Sequence, residues 1–209
     1  YTEPVIFYEY MLDCAKEARS KGLRNMCHSN GSFNPKPLEG LIPYLDAANI
    51  DLKGFTQDFY TDFAAGYLNT TLDNLKSLKK GNVWLEITNL IVPTLNDDPV
   101  KIKEMCAWIF DNLGPDVPIH FSRFMPQYKL AGLYPTPVEI LSDARDIAMT
   151  AGIRYAYVGN VPANPGENTY CHNCKKLVIG RSGYTILESH INKDGSCAFC
   201  GTKIPGVWS

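Results

Sequence analysis

Long apolar runs are missing from this sequence: no stretch approaches the roughly 18 residues needed to cross a bilayer, which argues against a transmembrane helix. Also absent is the succession of basic, apolar and small residues that marks a secretory leader. Charge of one sign is not concentrated anywhere. Twenty Lys and Arg stand against 22 Asp and Glu, for a formal net charge of -2, so neither a nucleic-acid backbone nor an anionic membrane is an expected partner. No low-complexity tract and no short internal repeat interrupts the chain. The Asn-x-Ser/Thr triplets at Asn30 and Asn69 are too short a signal to indicate secretion. The expectation is a soluble chain of 209 residues, enough for one sizeable core and a small appendage at about 100–200 residues per domain.

The cysteines are the first positive signal. Four of the seven form two close pairs, Cys171 with Cys174 in "CHNC" and Cys197 with Cys200 in "CAFC", with 22 residues between the pairs. That is close to the two-knuckle arrangement that gives one ion four thiolates in tetrahedral geometry, with zinc the first choice and rubredoxin-type iron the second. A ribbon of about 40 residues buries too little apolar surface to fold alone, so the metal is expected to supply the missing stability. A redox dithiol is the weaker reading, because a closed four-thiolate site leaves no free nucleophile. His172 lies inside the first pair and is not needed as a ligand. Metal-binding thiols fit a reducing compartment and hence the cytoplasm.

Ahead of the ribbon, helical and strand patterns alternate. Phe7, Tyr10, Met11, Cys14 and Ala18 trace an amphipathic helix from Pro4 to Lys21, with Thr2 as its N-cap and Gly22 as its stop. Strand patterns follow in "LRNMCHSNG", "DAANIDLKGF", "VWLEITNLIVP", "VPIHFSRFMP" and "IRYAYVGN", separated by helical segments. Five strands, read as apolar on both faces and alternating with helices, predict an α/β fold with a parallel sheet, either doubly wound or closed toward a barrel. "VPANPGENTY" reads as a linker, which divides the chain into a domain of residues 1–165 and a metal ribbon of residues 166–209.

In such sheets chemistry collects where the strands end. His28, Ser29 and Asn30 stand at one such end, with Gly31 permitting a turn of positive φ. Period-2 alternation puts Asn49, Asp51 and Lys53 on one face of the next strand, and Glu86 with Thr88 on one face of the third. Asp51 and Lys53 also suit a structural ion pair. His120, Ser122 and Arg123 close the fourth strand, and Glu3 precedes the first helix at the same end of the sheet.

"YTEP", "SNG", "NIDLKG", "IVPTLND", "SRFMPQY", "YVGNVPANPGENTYC" and the paired CxxC motifs together resemble a radical S-adenosylmethionine (radical SAM) enzyme. The likeness is closest to the AmmeMemoRadiSam-system radical proteins and the glycyl-radical (pyruvate formate-lyase) activating enzymes, and it covers nearly the whole chain. The resemblance implies a partial (β/α) TIM-like barrel with a small zinc-ribbon or rubredoxin-like unit behind it. It also implies a [4Fe-4S] cluster that binds S-adenosylmethionine and cleaves it reductively to a 5′-deoxyadenosyl radical for hydrogen abstraction. Carried onto this chain, Glu3 contacts the methionine amino group and Ser29 and Asn30 lie at the ribose or carboxylate side. Asp51 and Lys53 line the cofactor site, with the lysine on the carboxylate, and His120 and Arg123 approach the adenosine. The implied partners are an electron donor such as flavodoxin or ferredoxin and an unidentified substrate, a glycyl radical protein or a small molecule.

The sequence departs from that pattern in lacking CxxxCxxC. Cys14, Cys27 and Cys106 are too scattered to serve one cluster, so the expectation is a C-terminal portion whose first β/α units and cluster loop lie upstream. Two other readings remain: a Schiff-base lyase acting through Lys53, and a degenerate barrel whose ribbon binds a partner protein. An open barrel edge would leave apolar surface exposed and favour self-association.

Overall fold

The computed structural model describes residues 3–208, which places Thr2, the expected N-cap, outside the described residues. Five strands form a parallel sheet in the order β1-β2-β3-β4-β5: Met26–Ser29, Ala47–Asp51, Trp84–Ile91, Ile119–Arg123 and Ala156–Gly159. The order never reverses, so the switch point of a doubly wound sheet is absent among the described residues, and right-handed crossovers place successive helices on one face. The long helices are α1 (Tyr8–Ser20), α4 (Leu68–Lys80), α5 (Pro99–Leu113) and α6 (Val138–Thr150), with α2 (Pro35–Leu41) and the short turn α3 (Gln57–Phe59) between them. Helix α5 starts where a sequence reading puts it: Pro99 occupies its first turn and the Asp98 carboxylate accepts from the Val100 N–H at 2.8 Å.

The expectation of strands apolar on both faces is corrected. Burial alternates residue by residue along all five, breaking only at Arg123, the last residue of β4. The helix-covered face carries Ile50, Ile87, Ile119 and Phe121, all fully buried with Met105, Ile109 and Leu141 of the helices. Each such side chain contributes about 1.5–3 kcal/mol by leaving water. The opposite face is polar, because one-sided helix cover leaves no apolar layer to pack there.

The first helix also begins differently. Pro4–Phe7 is a 3-10 turn capped by Glu3, whose carboxylate accepts from the Val5 N–H at 3.2 Å, and the α-helix starts at Tyr8. Residues Tyr60–Ala64 form a π-helical segment that propensity and periodicity do not reveal. Among the described residues β1 pairs only with β2, and Phe7 (50% exposed), Tyr10 (75%) and Met26 (72%) are exposed on β1 and the segments that precede it. Concentration-dependent self-association is therefore expected in light scattering; a clean monomer at high concentration would contradict this.

A second, antiparallel sheet is built from β6 (Thr169–Tyr170), β7 (Leu177–Ser182) and β8 (Thr185–Ser189). Its small core of Cys171, Val178, Cys197 and Ile204 packs on Tyr155, just ahead of β5. This ties the ribbon to the parallel sheet.

Candidate functional site

The polar face of the parallel sheet is the floor of a trough of about 1460 Å³, walled on one side by the ribbon. Parallel register stacks its residues in rows across the strands. His28, Asn49 and Glu86 form one row, and Asp51, Thr88, His120 and Tyr157 form the next toward the strand ends. Of the residues singled out in the sequence, Asp51, Lys53 and His120 line this trough, with His28, Asn49, Glu86, Thr88 and Ser122.

The side chains are paired rather than scattered. Asp51 receives the Lys53 ammonium at 2.7 Å on one oxygen and stands 2.9 Å from His28 Nε2 on the other. The strand end carrying Lys53 is fixed by neighbours: Asn89 Nδ2 donates to the Leu52 carbonyl at 2.6 Å, Asn96 Nδ2 to the Lys53 carbonyl at 2.6 Å, and the Lys53 N–H donates to Tyr60 Oη at 3.3 Å. Further across, Glu86 accepts the Trp84 indole N–H at 3.0 Å and lies 2.7 Å from His120 Nε2, while the His120 ring stacks on Tyr157 with centroids 5.0 Å apart.

Burial pushes the Glu86 carboxyl up, but the hydrogen bond and charge of His120, the Trp84 indole and the charge of Arg181 outweigh it and hold the carboxyl below its ordinary value. A depressed carboxyl stabilises the fold above its unfolded pKa and loses that contribution as pH falls through the folded value. Unfolding measured from neutral pH down through and below the ordinary Glu value of 4.5 is therefore expected to show an acid loss in wild type that is smaller in E86Q. Coincident profiles would refute this.

At the end of β1 a separate cluster forms. Glu3 accepts from the Ser29 hydroxyl at 2.6 Å on one oxygen and from the Asn30 N–H at 2.8 Å on the other. Gly31 turns the chain with φ +73°, and a Cβ there would stand 2.7 Å from Ile50 Cγ2, so the turn requires glycine. Buried Asn74 holds the loop by donating to the Gly31 carbonyl at 2.7 Å and the Phe33 carbonyl at 2.8 Å. Ser29 itself faces the helices and is 2% exposed. Arg123, one residue past Ser122, points away from the trough and donates through Nε to the Thr136 carbonyl at 2.9 Å. Glu3, Ser29 and Asn30 are thus brought together, as are Asp51, Lys53 and His28, whereas Arg123 joins neither group.

In the ribbon, Cys171, Cys174, Cys197 and Cys200 bring their sulfurs within 4.8 Å of one another, with Cys171–Cys200 at 3.6 Å and Cys174–Cys197 at 3.8 Å. Thiolates about 2.3 Å from a single tetrahedral ion stand about 3.8 Å apart, so one ion fits this set. The two knuckles match: Lys175 at φ 61° and Gly201 at φ 74° follow their second cysteines, and their N–H groups donate at 2.9 Å to the carbonyls of Cys171 and Cys197. His172 stays outside, its Nδ1 2.8 Å from the Tyr155 hydroxyl. No other group of three or more His, Cys, Asp or Glu suited to a metal occurs among the described residues. Burial pushes the Cys27 thiol up to about 11, with the Glu3 charge adding to it, and the Cys106 thiol up to about 12.

Sequence reasoning missed Tyr157, Thr169 and Arg181. Tyr157 was legible from period-2 alternation in β5, since it shares a face with Gly159. The other two reach the trough only through the docking of the ribbon, which no local pattern encodes.

Known proteins resemble this chain in sequence and in fold. No family model matches the chain. The uncharacterized protein MJ0808 of Methanocaldococcus jannaschii is 44% identical over 98% of this chain and 61% of its own length. The (2S)-3-sulfopropanediol dehydratase activating enzyme of Klebsiella oxytoca is 26% identical over 54% of this chain and 35% of its own. Among solved structures, a domain of pyruvate-formate lyase-activating enzyme from Bacteroides vulgatus superposes with a TM-score of 0.66 at 16% identity, covering 77% of this chain and 96% of that domain. The chain shares the α/β fold of that domain. Streptococcus suis SuiB bound to S-adenosylmethionine follows at a TM-score of 0.59 and 9% identity, covering 81% of this chain and 41% of SuiB. An activating enzyme thus stands in both kinds of comparison, in line with the resemblance of the motifs. The chain spans less than two thirds of the length of either sequence relative.

Proposed function

We propose that this chain is the S-adenosylmethionine-binding part of a radical SAM enzyme of the glycyl-radical-activating type. The observation that carries the reading is the meeting of Asp51, Lys53 and His28 at the C-terminal edge of a parallel sheet, beside a loop in which Glu3 is held by Ser29 and Asn30. In this reading Lys53 takes the methionine carboxylate. Glu3 takes the amino group through Oε2, which accepts only one hydrogen bond and keeps acceptor capacity for an ammonium. Asp51 orients Lys53, and His120 with its stacked Tyr157 forms the floor where the adenosine side is expected. When bound, S-adenosylmethionine supplies the hydrogen-abstracting chemistry.

The residues present do not fit a [4Fe-4S] cluster. Cys27 and Cys106 are buried, Cys14 is exposed, and the four ribbon thiolates are spaced for one ion rather than for four separate irons. The reading therefore draws the cluster ligands from chain outside these 209 residues, and assigns the ribbon a single structural ion, zinc before iron. A flavodoxin or ferredoxin serves as reductant, and the substrate is a protein residue or a small molecule. The Schiff-base reading of Lys53 is the weaker one, because its Nζ is engaged by Asp51 as an ion pair at 2.7 Å.

Hydrogen exchange on the complete gene product, reconstituted anaerobically with iron and sulfide, tests the binding site. Addition of S-adenosylmethionine is expected to slow exchange at residues 28–31 and 51–54. Unchanged exchange there would refute the reading.

A further inference from the structure

Arg181 is a partly buried cation on the trough wall without a carboxylate partner among the described residues. One terminal nitrogen, Nη1, donates to the Thr169 hydroxyl at 2.7 Å and to the Glu167 carbonyl at 3.1 Å, both neutral acceptors. The guanidinium carbon stands 5.8 Å from the centroid of the Tyr157 ring, and the Tyr157 hydroxyl lies 3.0 Å from the same Thr169 oxygen. The pairing of β7 with β8 shifts register between Gly180 and Arg181, and such bulges re-aim the side chain that follows. The Arg181 N–H is fixed by Asn168 Oδ1 at 2.7 Å. An arginine pinned through one nitrogen and laid on an aromatic face keeps Nε and Nη2 as a planar, pre-oriented pair of donors.

Of the other cations along the trough, Arg24 stands ahead of β1 and Lys53 is already paired with Asp51, which shares a row with Tyr157 three strands away, about 14 Å at usual strand spacing. A half-buried charge is costly unless something supplies a counter-charge. Glu86 does so only at a distance: its charge reaches Arg181 without a salt bridge, and its two oxygens are engaged by His120 and the Trp84 indole. Glu167 does not: one of its carboxylate oxygens accepts from the Gly183 N–H at 3.0 Å, and the other is buried without a partner.

We propose that Arg181, carried into the trough by the metal ribbon, binds an oxyanion of the substrate, a carboxylate or a phosphate, at the end of the trough opposite Lys53. The inference rests on the proposed function for its word substrate, while the site itself does not depend on it. The ribbon is then a wall of the binding site as well as an appendage, and its metal holds a substrate contact in place.

Titration of the metal-loaded full chain with inorganic phosphate, and separately with malonate, tests this by NMR of the arginine Nε–H and histidine ring signals, with chloride as the ionic-strength control. A saturable shift of the Arg181 Nε–H and of His120 is expected, with affinity about tenfold or more weaker in R181Q and unchanged in K21Q, which alters a surface lysine outside the trough. A preference for phosphate or for malonate assigns the oxyanion. Equal affinity in R181Q, or shifts absent or confined to chloride-sensitive signals, would overturn the proposal. Metal content and thermal midpoint report whether R181Q folds; if it does not, R181K must retain a measurable part of the binding. The titration needs neither cluster nor S-adenosylmethionine, so its failure leaves the enzymatic reading standing and its success does not establish it.

Discussion

Cys197→Ser is expected to unfold the ribbon while leaving the parallel sheet folded. The ribbon core is small, with Val178, Ile204 and the buried cysteines packed on Tyr155, and β8 is exposed along its whole length. Burial on that scale cannot offset the entropy of ordering some 40 residues, at about 1.5 kcal/mol each. Structural zinc contributes about 10–16 kcal/mol of apparent binding energy in small domains, and a serine hydroxyl is a poor replacement for a thiolate. The parallel sheet has its own core around Ile87, Ile119 and Phe121 and should survive. Thiol labelling gives the readout. In metal-loaded protein only exposed Cys14 should react quickly, because burial holds the Cys27 and Cys106 thiols at about 11 and about 12 and the ribbon thiolates are occupied. Chelation should add the four ribbon cysteines, and metal analysis should find one ion per chain. Fast labelling of the ribbon cysteines in untreated protein, with β6–β8 intact, would contradict the account.

Lys53→Met is expected to weaken S-adenosylmethionine binding to the reconstituted complete gene product by about 1.5–3 kcal/mol, tenfold to about 150-fold, the usual range for a hydrogen bond to a charged group. The methionine side chain keeps most of the lysine stem, so the backbone bonds from Asn96 and to Tyr60 remain. The Asp51 carboxylate keeps its His28 contact at 2.9 Å, which limits the structural cost. Equilibrium dialysis with labelled cofactor measures the affinity, and thermal unfolding shows whether the variant is folded. An unchanged Kd in a folded variant would remove Lys53 from the site.

Much of the sheet was legible in the sequence, because the apolar positions of its five strands and the glycine and proline stops of its helices are local signals. The parallel sheet, the positive-φ turn at Gly31 and the four-thiolate group all follow from such signals. The two-sided apolar reading of the strands failed because Glu86, Thr88 and His120 were treated as isolated polar residues at strand ends. Register shows instead that they belong to one continuous polar face. Arg123 looked equivalent to His120, yet one residue of shift along a strand turns a side chain to the opposite face, and Thr136 claims it there. Arg181 could not be found from local pattern, since its place depends on a bulge in β7 and on docking between two sheets distant in sequence.

The central claim is that this trough serves the reductive cleavage of S-adenosylmethionine. Anaerobic reconstitution of the complete gene product with iron and sulfide, reduction, and quantification of 5′-deoxyadenosine test it most directly. The account predicts cluster absorption and 5′-deoxyadenosine formation that falls in Lys53→Met; a protein that takes up no cluster and releases no 5′-deoxyadenosine would contradict it.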